Sequence, residues 1–256
     1  MKWPRIMALG LLALGGMALI HPAPVMGAQE LTVSAAASLT NAFPEIGKLF
    51  EQEHPGTKVI FNFAATGPLL QQIAQGAPVD VFASADQKSM NQAQEKGFIV
   101  PASRKNFVTN TLVLIVPQDS KLALSTLKDL ASPAVKRVAL GNPASVPVGR
   151  YAQEALTKAG LGEAVQPKLI MGESVRQVLD YVSRGEVDAG FVFATDAAIA
   201  KGKVKIVTEV QGHQPIVYPV ALVAAGQKQA LAQEFLNFLF APESGAILSK
   251  YGFGKP

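Results

Sequence analysis

Four short stretches of the sequence share a design that suits the binding of an anion. In each, a strand-like run ends in small or polar residues and a helical pattern begins at once; the stretches are residues 37–39 (ASL), 65–68 (ATGP), 147–150 (PVGR) and 173–176 (ESVR). A helix N-terminus presents backbone N–H groups without intrahelical acceptors and the positive end of the helix dipole. Open α/β sheets also bind ligands beyond the carboxyl ends of their strands. If the four ends converge, they form an anion cage that needs no lysine or arginine; otherwise each is an ordinary helix cap.

The side chains in these stretches add two observations. Ser38 and Ser174 are residue types that favour the N-cap position of a helix. Arg150 and Arg176 each open a helical pattern, where a cation is unfavourable for the helix dipole. Each arginine is therefore either solvated or held near a bound anion.

Motifs for covalent catalysis, nucleotide binding and metal binding are missing from the sequence. It contains no G-x-S-x-G, Walker A or G-x-G-x-x-G pattern. The chain has no cysteine and three histidines, which excludes thiolate metal sites and argues against a histidine-built one. The aspartates at 80, 86, 188 and 196 fall at the starts and ends of predicted strands, where such residues usually form caps or turns. No motif therefore points to a cofactor or to enzymatic activity, and a paired-carboxylate glycosidase site stays open as an alternative.

The N-terminus reads as a targeting segment. Lys2 and Arg5 precede an apolar run over residues 7–20, and small residues follow at Gly27 and Ala28. This pattern predicts a secretory signal peptide over residues 1–28, cleaved after Ala28. The apolar run is shorter than the roughly 20 residues that a membrane span needs.

The formal net charge of +4 comes from scattered basic residues, which argues against binding of nucleic acid.

Strand-like and helix-like segments alternate along the rest of the chain. Strands are predicted at 31–35, 58–63, 79–83, 111–116, 137–140, 168–171, 187–193, 204–207 and 217–224. Helices are predicted at 38–53, 68–75, 86–96, 126–130, 150–159, 174–184, 228–240 and 243–250. This alternation predicts an α/β fold with mainly parallel sheets covered by helices.

Two segments echo each other within the chain. GAPVDVFASAD (76–86) and GEVDAGFVFATD (185–196) share a glycine, a Val-Asp pair, a phenylalanine and a closing aspartate. Each follows a predicted helix and leads through a strand into another helix. The echo is either a chance similarity of two βα units or a sign of two lobes of similar plan.

Several stretches, taken together and in order, resemble the periplasmic molybdate-binding proteins of ABC transporters over nearly the whole mature length. They are AAASLTNAF, QQIAQGAPVDVFASADQKSM, GNPASVPVGRYAQEAL, ESVRQVLDYVSRGEVDAGFVFATDAA, YPVALV and SKYGF. The resemblance implies a type II periplasmic-binding-protein fold with two α/β lobes, two crossover segments and a ligand cleft between the lobes. The first lobe is expected at 29–112 plus 202–256, and the second at 113–201.

The resemblance also implies a set of ligand-binding residues. In this family, backbone amides and hydroxyls hold a tetrahedral oxyanion through its oxygens, with no direct contact to the metal. By position, Ser38 and Thr66 would each offer an amide and a hydroxyl, and Val148 and Val175 would offer amides. Phe193 stands where many members have a tyrosine whose hydroxyl donates to the anion; here VFATDA replaces a segment like VYGSDA. Arg150, Tyr151 or an ordered water could replace that hydroxyl.

These expectations combine into one functional hypothesis with three alternatives. The favoured hypothesis is a monomeric periplasmic solute-binding protein that captures molybdate, with tungstate as a near-equal ligand, and delivers it to an inner-membrane ABC permease. A protein that binds a different oxyanion or a small organic anion is the first alternative, motivated by Phe193. An exported hydrolase and a DNA-linked sensor domain are more distant, because the sequence offers neither a nucleophile–base motif nor a helix-turn-helix.

Overall fold

The computed structural model describes Met1 and residues 29–256, so the predicted signal peptide over 1–28 lies outside the described residues except for Met1. Strands in the described part are Gln29–Ala36 (β1), Thr57–Ala64 (β2), Val81–Ala83 (β3), Lys105–Thr109 (β4), Leu112–Pro117 (β5), Val138–Gly141 (β6), Leu169–Gly172 (β7), Ala189–Phe193 (β8), Val204–Glu209 (β9) and Val217–Leu222 (β10). The predicted strands are confirmed within a few residues at each end. Strand β4 was not predicted.

Helices alternate with these strands. The α-helices are Ala42–Glu53 (α1), Thr66–Ala74 (α2), Gln87–Glu95 (α3), Pro147–Lys158 (α4), Gly162–Val165 (α5), Val175–Ser183 (α6), Ala194–Ile199 (α7), Gln229–Phe238 (α8) and Pro242–Lys250 (α9). Short 3-10 helices lie at Ala37–Leu39, Pro101–Ser103, Leu127–Ala131 and Gln166–Lys168. The segment predicted as one helix over 38–53 is therefore a 3-10 turn followed by α1. No helix among the described residues is both long and apolar enough to span a bilayer.

The strands form two five-stranded sheets, in the orders β2-β1-β3-β10-β4 and β7-β6-β8-β5-β9. In the first sheet, β10 runs antiparallel to both of its neighbours, so the other four strands share one direction. In the second sheet, β5 is the strand that runs against the rest. The predicted α/β class with mainly parallel sheets is confirmed. We call the first sheet with α1–α3, α8 and α9 the first lobe, and the second sheet with α4–α7 the second lobe.

The two lobes share one plan. The echoed segments supply β3 and β8, and each of these strands takes the third place in its sheet, next to the reversed strand. A helix precedes each of them, α2 before β3 and α6 before β8. The internal echo therefore corresponds to two equivalent βα units.

The chain crosses between the lobes twice, at Asn110–Thr111 after β4 and over residues 210–216 after β9. The predicted boundary at 201/202 was wrong for β9, because that strand pairs with β5 in the second sheet rather than joining the first. The boundary at 112/113 fell one residue inside β5, which begins at Leu112. Strand β9 is an edge strand with several exposed positions, so its residue pattern does not specify which sheet it joins.

The helices that lead toward the cleft are fixed by apolar packing and by one close backbone contact. Helix α6 buries a single stripe made of Val175, Val178, Leu179 and Val182 against the second sheet. Each such side chain contributes on the order of 1.5–3 kcal/mol when fully buried. At the start of α4, a Cβ on Gly149 would lie 1.7 Å from the carbonyl oxygen of Gly141. Only glycine allows α4 to begin this close to the end of β6.

Candidate functional site

A small cavity lies between the lobes where the strand ends meet. Its volume is about 10 Å³. Direct hydrogen bonds join the lobes beside it, from Gly67 to Ser145 and from Arg150 to Asp86, so the lobes are closed on each other in this structure. Ser38, Thr66, Val148, Val175 and Phe193 all line it. The remaining lining residues are small or apolar: Ala36, Ala37, Ala65, Ala85, Val146 and Pro147. The structure thus brings together every residue that was predicted to bind the ligand.

The first lobe contributes two residues with hydroxyl groups, Ser38 and Thr66, to the lining of this cavity. The hydroxyl oxygen of Ser38 lies 2.9 Å from the hydroxyl oxygen of Tyr218. The hydroxyl oxygen of Thr66 accepts a hydrogen bond from the backbone N–H of Ala85 at 3.1 Å. Neither side chain caps a helix: Ser38 lies inside the 3-10 turn, and Ala65 holds the N-cap position of α2. Both hydroxyls are buried and already have a protein partner, which fixes where they sit.

The second lobe contributes two helix N-termini. Helix α4 begins at Pro147 with Val148 next, and α6 begins at Val175 after the N-cap Ser174. The Ser174 hydroxyl accepts a hydrogen bond from the N–H of Gln177 at 3.2 Å, which confirms its predicted capping role. The amides of Val148 and Val175 belong to the first turns of their helices and therefore have no intrahelical acceptor. Two positive helix ends meet at one wall of the cavity.

Arg150, at the start of α4, reaches across the cleft to the first lobe. Its Nε donates to Asp86 at 2.8 Å, its Nη2 donates to the same carboxylate, and Nη2 also lies 3.1 Å from the Ser89 hydroxyl. Both side chains of this ion pair are largely buried, with exposed fractions of 12% for Arg150 and 5% for Asp86. Asp86 also caps α3 by accepting from the N–H of Ser89. The charge of Arg150 is thus compensated within the protein.

Arg176, at the start of α6, also bridges the lobes. Its Nε lies 2.6 Å from Asp196 in the second lobe, while Nη1 donates to Asn41 at 2.8 Å and Nη2 to the backbone oxygen of Ser38 at 3.3 Å in the first. Both arginines are paired with an aspartate; Arg150 is 12% exposed and Arg176 is 24% exposed. They hold the closed form together beside the cavity, and their aspartate partners leave the surroundings without a net positive charge.

Phe193, one of the lining residues, packs against the rings of Tyr151 and Tyr218. Phe193 is 1% exposed, and its ring centroid lies 5.8 Å from that of Tyr218 and 6.4 Å from that of Tyr151. The Tyr151 hydroxyl lies 3.5 Å from the carbonyl oxygen of Ala85, and burial raises the pKa of Tyr151 above its usual value. Tyr218, fully buried on β10, contacts Ser38 directly but was not predicted as a site residue. Its strand lies 180 residues from Ser38, so no local pattern could link the two.

Asp196 gives the structure an identifiable pH dependence. Burial raises the pKa of its carboxyl to about 6 from the 3.8 of a free side chain, although the charge of Arg176 opposes the shift. Between these two pH values the folded state binds a proton that the unfolded state releases. The contribution of Asp196 to stability is therefore fully present below pH 3.8 and is lost as pH rises to about 6.

We expect Asp196→Asn to remove this dependence. Relative to the variant, the wild-type protein should lose free energy of unfolding between about pH 4 and pH 6, and the difference should be flat above that range. Urea unfolding of both proteins at a series of pH values measures the difference. Parallel stability curves through this window would show that Asp196 titrates normally.

The chain was compared with known proteins. Residues 31–254 match the family of bacterial extracellular solute-binding proteins. The molybdate-binding protein ModA of Escherichia coli (strain K12) is 39% identical over 88% of this chain and 88% of its own length. ModA of Haemophilus influenzae is 38% identical over 88% of this chain and 89% of its own. The solved Azotobacter vinelandii periplasmic molybdate-binding protein, 27% identical, superposes with a TM-score of 0.78 over 88% of this chain and 99% of its own.

Proposed function

Because this chain belongs to the family of bacterial extracellular solute-binding proteins, we propose that it is a periplasmic protein that captures molybdate. We propose tungstate as a near-equal ligand and an inner-membrane ABC permease as the partner that receives it. The protein acts as a monomer, exported by the predicted signal peptide, and makes and breaks no bond. Its lobes move about the crossovers at 110–111 and 210–216 to admit and enclose the anion.

The observation that carries this proposal is the convergence of residues with neutral donors on one small cavity between the lobes. Ser38 and Thr66 bring hydroxyls from the first lobe, and Val148 and Val175 bring helix N-terminal amides from the second. We propose that these groups bind the four oxygens of a tetrahedral anion. A charged acceptor makes such hydrogen bonds worth about 1.5–3 kcal/mol each, even though every donor is neutral.

The fixed charges around the cavity favour selection by size. Asp86 and Asp196 compensate Arg150 and Arg176, so no free cation attracts anions indiscriminately. A rigid ring of donors then sets the distances that the oxygens must match. Sulfate has shorter bonds than molybdate and fits such a ring less well, because its oxygens cannot reach all the donors at once.

Phe193 supports one alternative ligand class. Its ring forms part of the cavity wall and has no hydroxyl to donate, so the site has one donor fewer than many related proteins. A different oxyanion or a small organic anion with an apolar edge would suit this wall.

The proposal is tested by titrating the ligand-free mature protein with molybdate, tungstate, sulfate, phosphate, chromate and acetate in a calorimeter. We expect heat from molybdate and tungstate at micromolar concentrations or below; binding of another anion in preference to both would contradict the proposal.

Thr66 gives a direct test of the hydroxyl's part in binding. Thr66→Val removes the hydroxyl that accepts from the Ala85 N–H, on a residue that lines the cavity. We expect the dissociation constant for molybdate to rise roughly 10- to 150-fold, because a donor to a charged acceptor is lost. Thr66→Ser keeps the hydroxyl and should stay within a few-fold of wild type. Equal affinities of the valine and serine variants for molybdate would show that the Thr66 hydroxyl does not bind the ligand.

A further inference from the structure

The second crossover carries a histidine whose two ring nitrogens both face carbonyl oxygens. The Nε2 of His213 lies 2.9 Å from the carbonyl oxygen of Val210, and its Nδ1 lies 2.6 Å from that of Gln214. A carbonyl oxygen can only accept, and a neutral imidazole has a single N–H to donate. In the neutral ring, one nitrogen lone pair would therefore point at a carbonyl oxygen. The protonated ring donates at both positions, and such charge-assisted bonds are typically short.

The segment around this histidine is fastened to α4 of the second lobe. The His213 ring packs against the Tyr151 ring, with 5.6 Å between the two centroids. The backbone N–H of Gln214 donates to the Glu154 carboxylate at 3.0 Å. While His213 holds both carbonyl oxygens, the first part of the crossover therefore moves with the second lobe as one unit.

The far end of the crossover belongs to the first lobe. The carbonyl oxygen of Ile216 accepts from the N–H of Asn110 on the first crossover at 3.2 Å, and β10 begins at the next residue. Pro215 and Ile216 thus lie between a segment fixed to the second lobe and a strand of the first. The rotation that separates the lobes is then confined to the backbone torsions of these two residues.

Three titratable side chains of α4 lie around the His213 ring. Tyr151 keeps its proton, since burial raises its pKa. Glu154 and Lys158 line the same surface depression as His213, so a carboxylate favours a positive ring and an ammonium group opposes it. The crossover itself, residues 210–216, has no other titratable side chain. The two carbonyl oxygens, which are both acceptors, then favour the protonated ring.

We propose that the protonated ring of His213 is a pH-sensitive clamp, which fixes the second crossover to the second lobe and thereby favours closure of the lobes. This inference rests on the proposed function and adds a dependence on pH to it. Histidine side chains ordinarily change charge between about pH 5 and pH 8. The clamp is therefore made at the acidic end of this range and released at the basic end.

The clamp favours closure because it matters more in the open form than in the closed form. In the closed form, Gln214 and Pro215 line a pocket together with Gln87 and Asn106 of the first lobe, which confines the crossover in any case. When the lobes separate, this first-lobe wall is withdrawn and the clamp is needed to keep the crossover ordered. Loss of the proton therefore frees the crossover mainly in the open form. Closure must then order the freed residues again, at a cost in conformational entropy.

Molybdate titrations at about pH 6 and about pH 8 test the clamp. Because closure favours the protonated ring, ligand binding and proton binding assist each other. We expect the wild-type affinity to be roughly three- to tenfold weaker at the higher pH. His213→Phe keeps a ring against Tyr151 and removes both donors, so it should bind at about the weaker level at both pH values. A wild-type pH dependence in this variant would overturn the proposal.

His54→Phe is the matched control. The His54 ring follows α1 in the first lobe and stacks on Phe50 with 3.9 Å between the centroids. Its replacement should leave the pH dependence of molybdate affinity as in the wild type, and loss of that dependence in this control would contradict the assignment to His213. Asp196 is present in all three proteins, so its own titration cancels in the comparison.

Two further measurements do not depend on the affinity of the variant. The folded state prefers the protonated ring, so the stability that His213 contributes is present at low pH and is lost as pH rises. The difference in free energy of unfolding between wild type and His213→Phe should thus shrink between about pH 6 and about pH 8, and a constant difference would overturn the clamp. If that variant does not fold, nitrogen NMR of the wild-type protein with molybdate at about pH 7 decides: we expect both ring nitrogens of His213 to carry a proton, and a bare nitrogen would overturn the proposal. Absence of heat with every anion would instead overturn the proposed function, while the unfolding comparison still decides whether the clamp exists.

Discussion

Gly67→Ala is expected to weaken molybdate binding roughly 5- to 150-fold while leaving the ligand-free protein as stable as wild type or slightly more so. Gly67 lies in the first turn of α2, in the first lobe, and its N–H donates to the carbonyl oxygen of Ser145 in the second lobe at 2.9 Å. A Cβ at this position would lie 2.6 Å from that oxygen and 2.9 Å from the Ser145 Cα. The closed form therefore has no room for the methyl group.

The same methyl group meets no obstacle when the lobes are apart. Gly67 does not adopt a positive φ, and alanine is favoured over glycine inside a helix by about 0.5–1 kcal/mol. The substitution should thus act on closure and not on folding. A loss of ligand affinity without a loss of folding stability would show that the contact between Gly67 and Ser145 forms in the closed form alone.

Calorimetry and thermal unfolding measure the two effects of Gly67→Ala separately. Gly245→Ala in α9 is the matched control, because a Cβ there would lie in open space and its φ is also negative. The control should bind molybdate like wild type, and both variants should unfold at or slightly above the wild-type temperature without ligand. Wild-type affinity in Gly67→Ala would show that the liganded protein does not adopt this closed arrangement.

Arg150→Met is expected to produce the second large effect, a loss of molybdate affinity of roughly 100-fold or more. The substitution leaves the Asp86 carboxylate without its main partner in a closed interface where it is 5% exposed. Removing one member of a buried ion pair costs about 3–5 kcal/mol. In the open form water can solvate Asp86, so this cost falls on closure. The uncompensated carboxylate also repels the incoming dianion.

A second substitution at Asp86 tests that explanation. Asp86→Asn in the Arg150→Met background removes the unpaired charge while an amide oxygen can still cap α3. Much of the lost affinity should return, since the asparagine amide has nearly the volume of the carboxylate but carries no charge for closure to bury unpaired. Calorimetric titration of the single and double variants gives the comparison. If the double variant binds as weakly as Arg150→Met, then Arg150 contributes through something other than neutralising Asp86.

The architecture was largely accessible from the sequence because local periodicity and turn residues report on local structure. Alternating apolar runs and capped helices predicted the α/β class, and the echo of 76–86 in 185–196 corresponds to equivalent strands of two lobes. Pairing between distant strands was not accessible in the same way. Strand β9 presents an exposed edge whose residues would suit either sheet, and this led to the wrong boundary at 201/202.

For the candidate site too, the sequence predicts the local features but not the contacts between distant segments. Its helix-end amides follow from local signals, since a strand that ends at the N-terminus of a helix is visible in a few residues such as PVGR. The partners of Arg150 and Ser38 lie 64 and 180 residues away, on the opposite side of a cleft or on the reversed strand of a sheet. An arginine at a helix start is unfavourable for the helix dipole, so it predicts a partner elsewhere in the fold, but the sequence does not show which residue that partner is. Tyr218 gives no local signal at all, because a tyrosine in an apolar strand is ordinary core.

Diffraction from crystals grown with molybdate, recorded across the molybdenum absorption edge, would test the central claim most directly. We predict one strong anomalous peak between the lobes, with oxygens about 2.7–3.2 Å from the hydroxyls of Ser38 and Thr66 and the amides of Val148 and Val175. A peak elsewhere on the protein, or no anomalous peak between the lobes, would contradict the account.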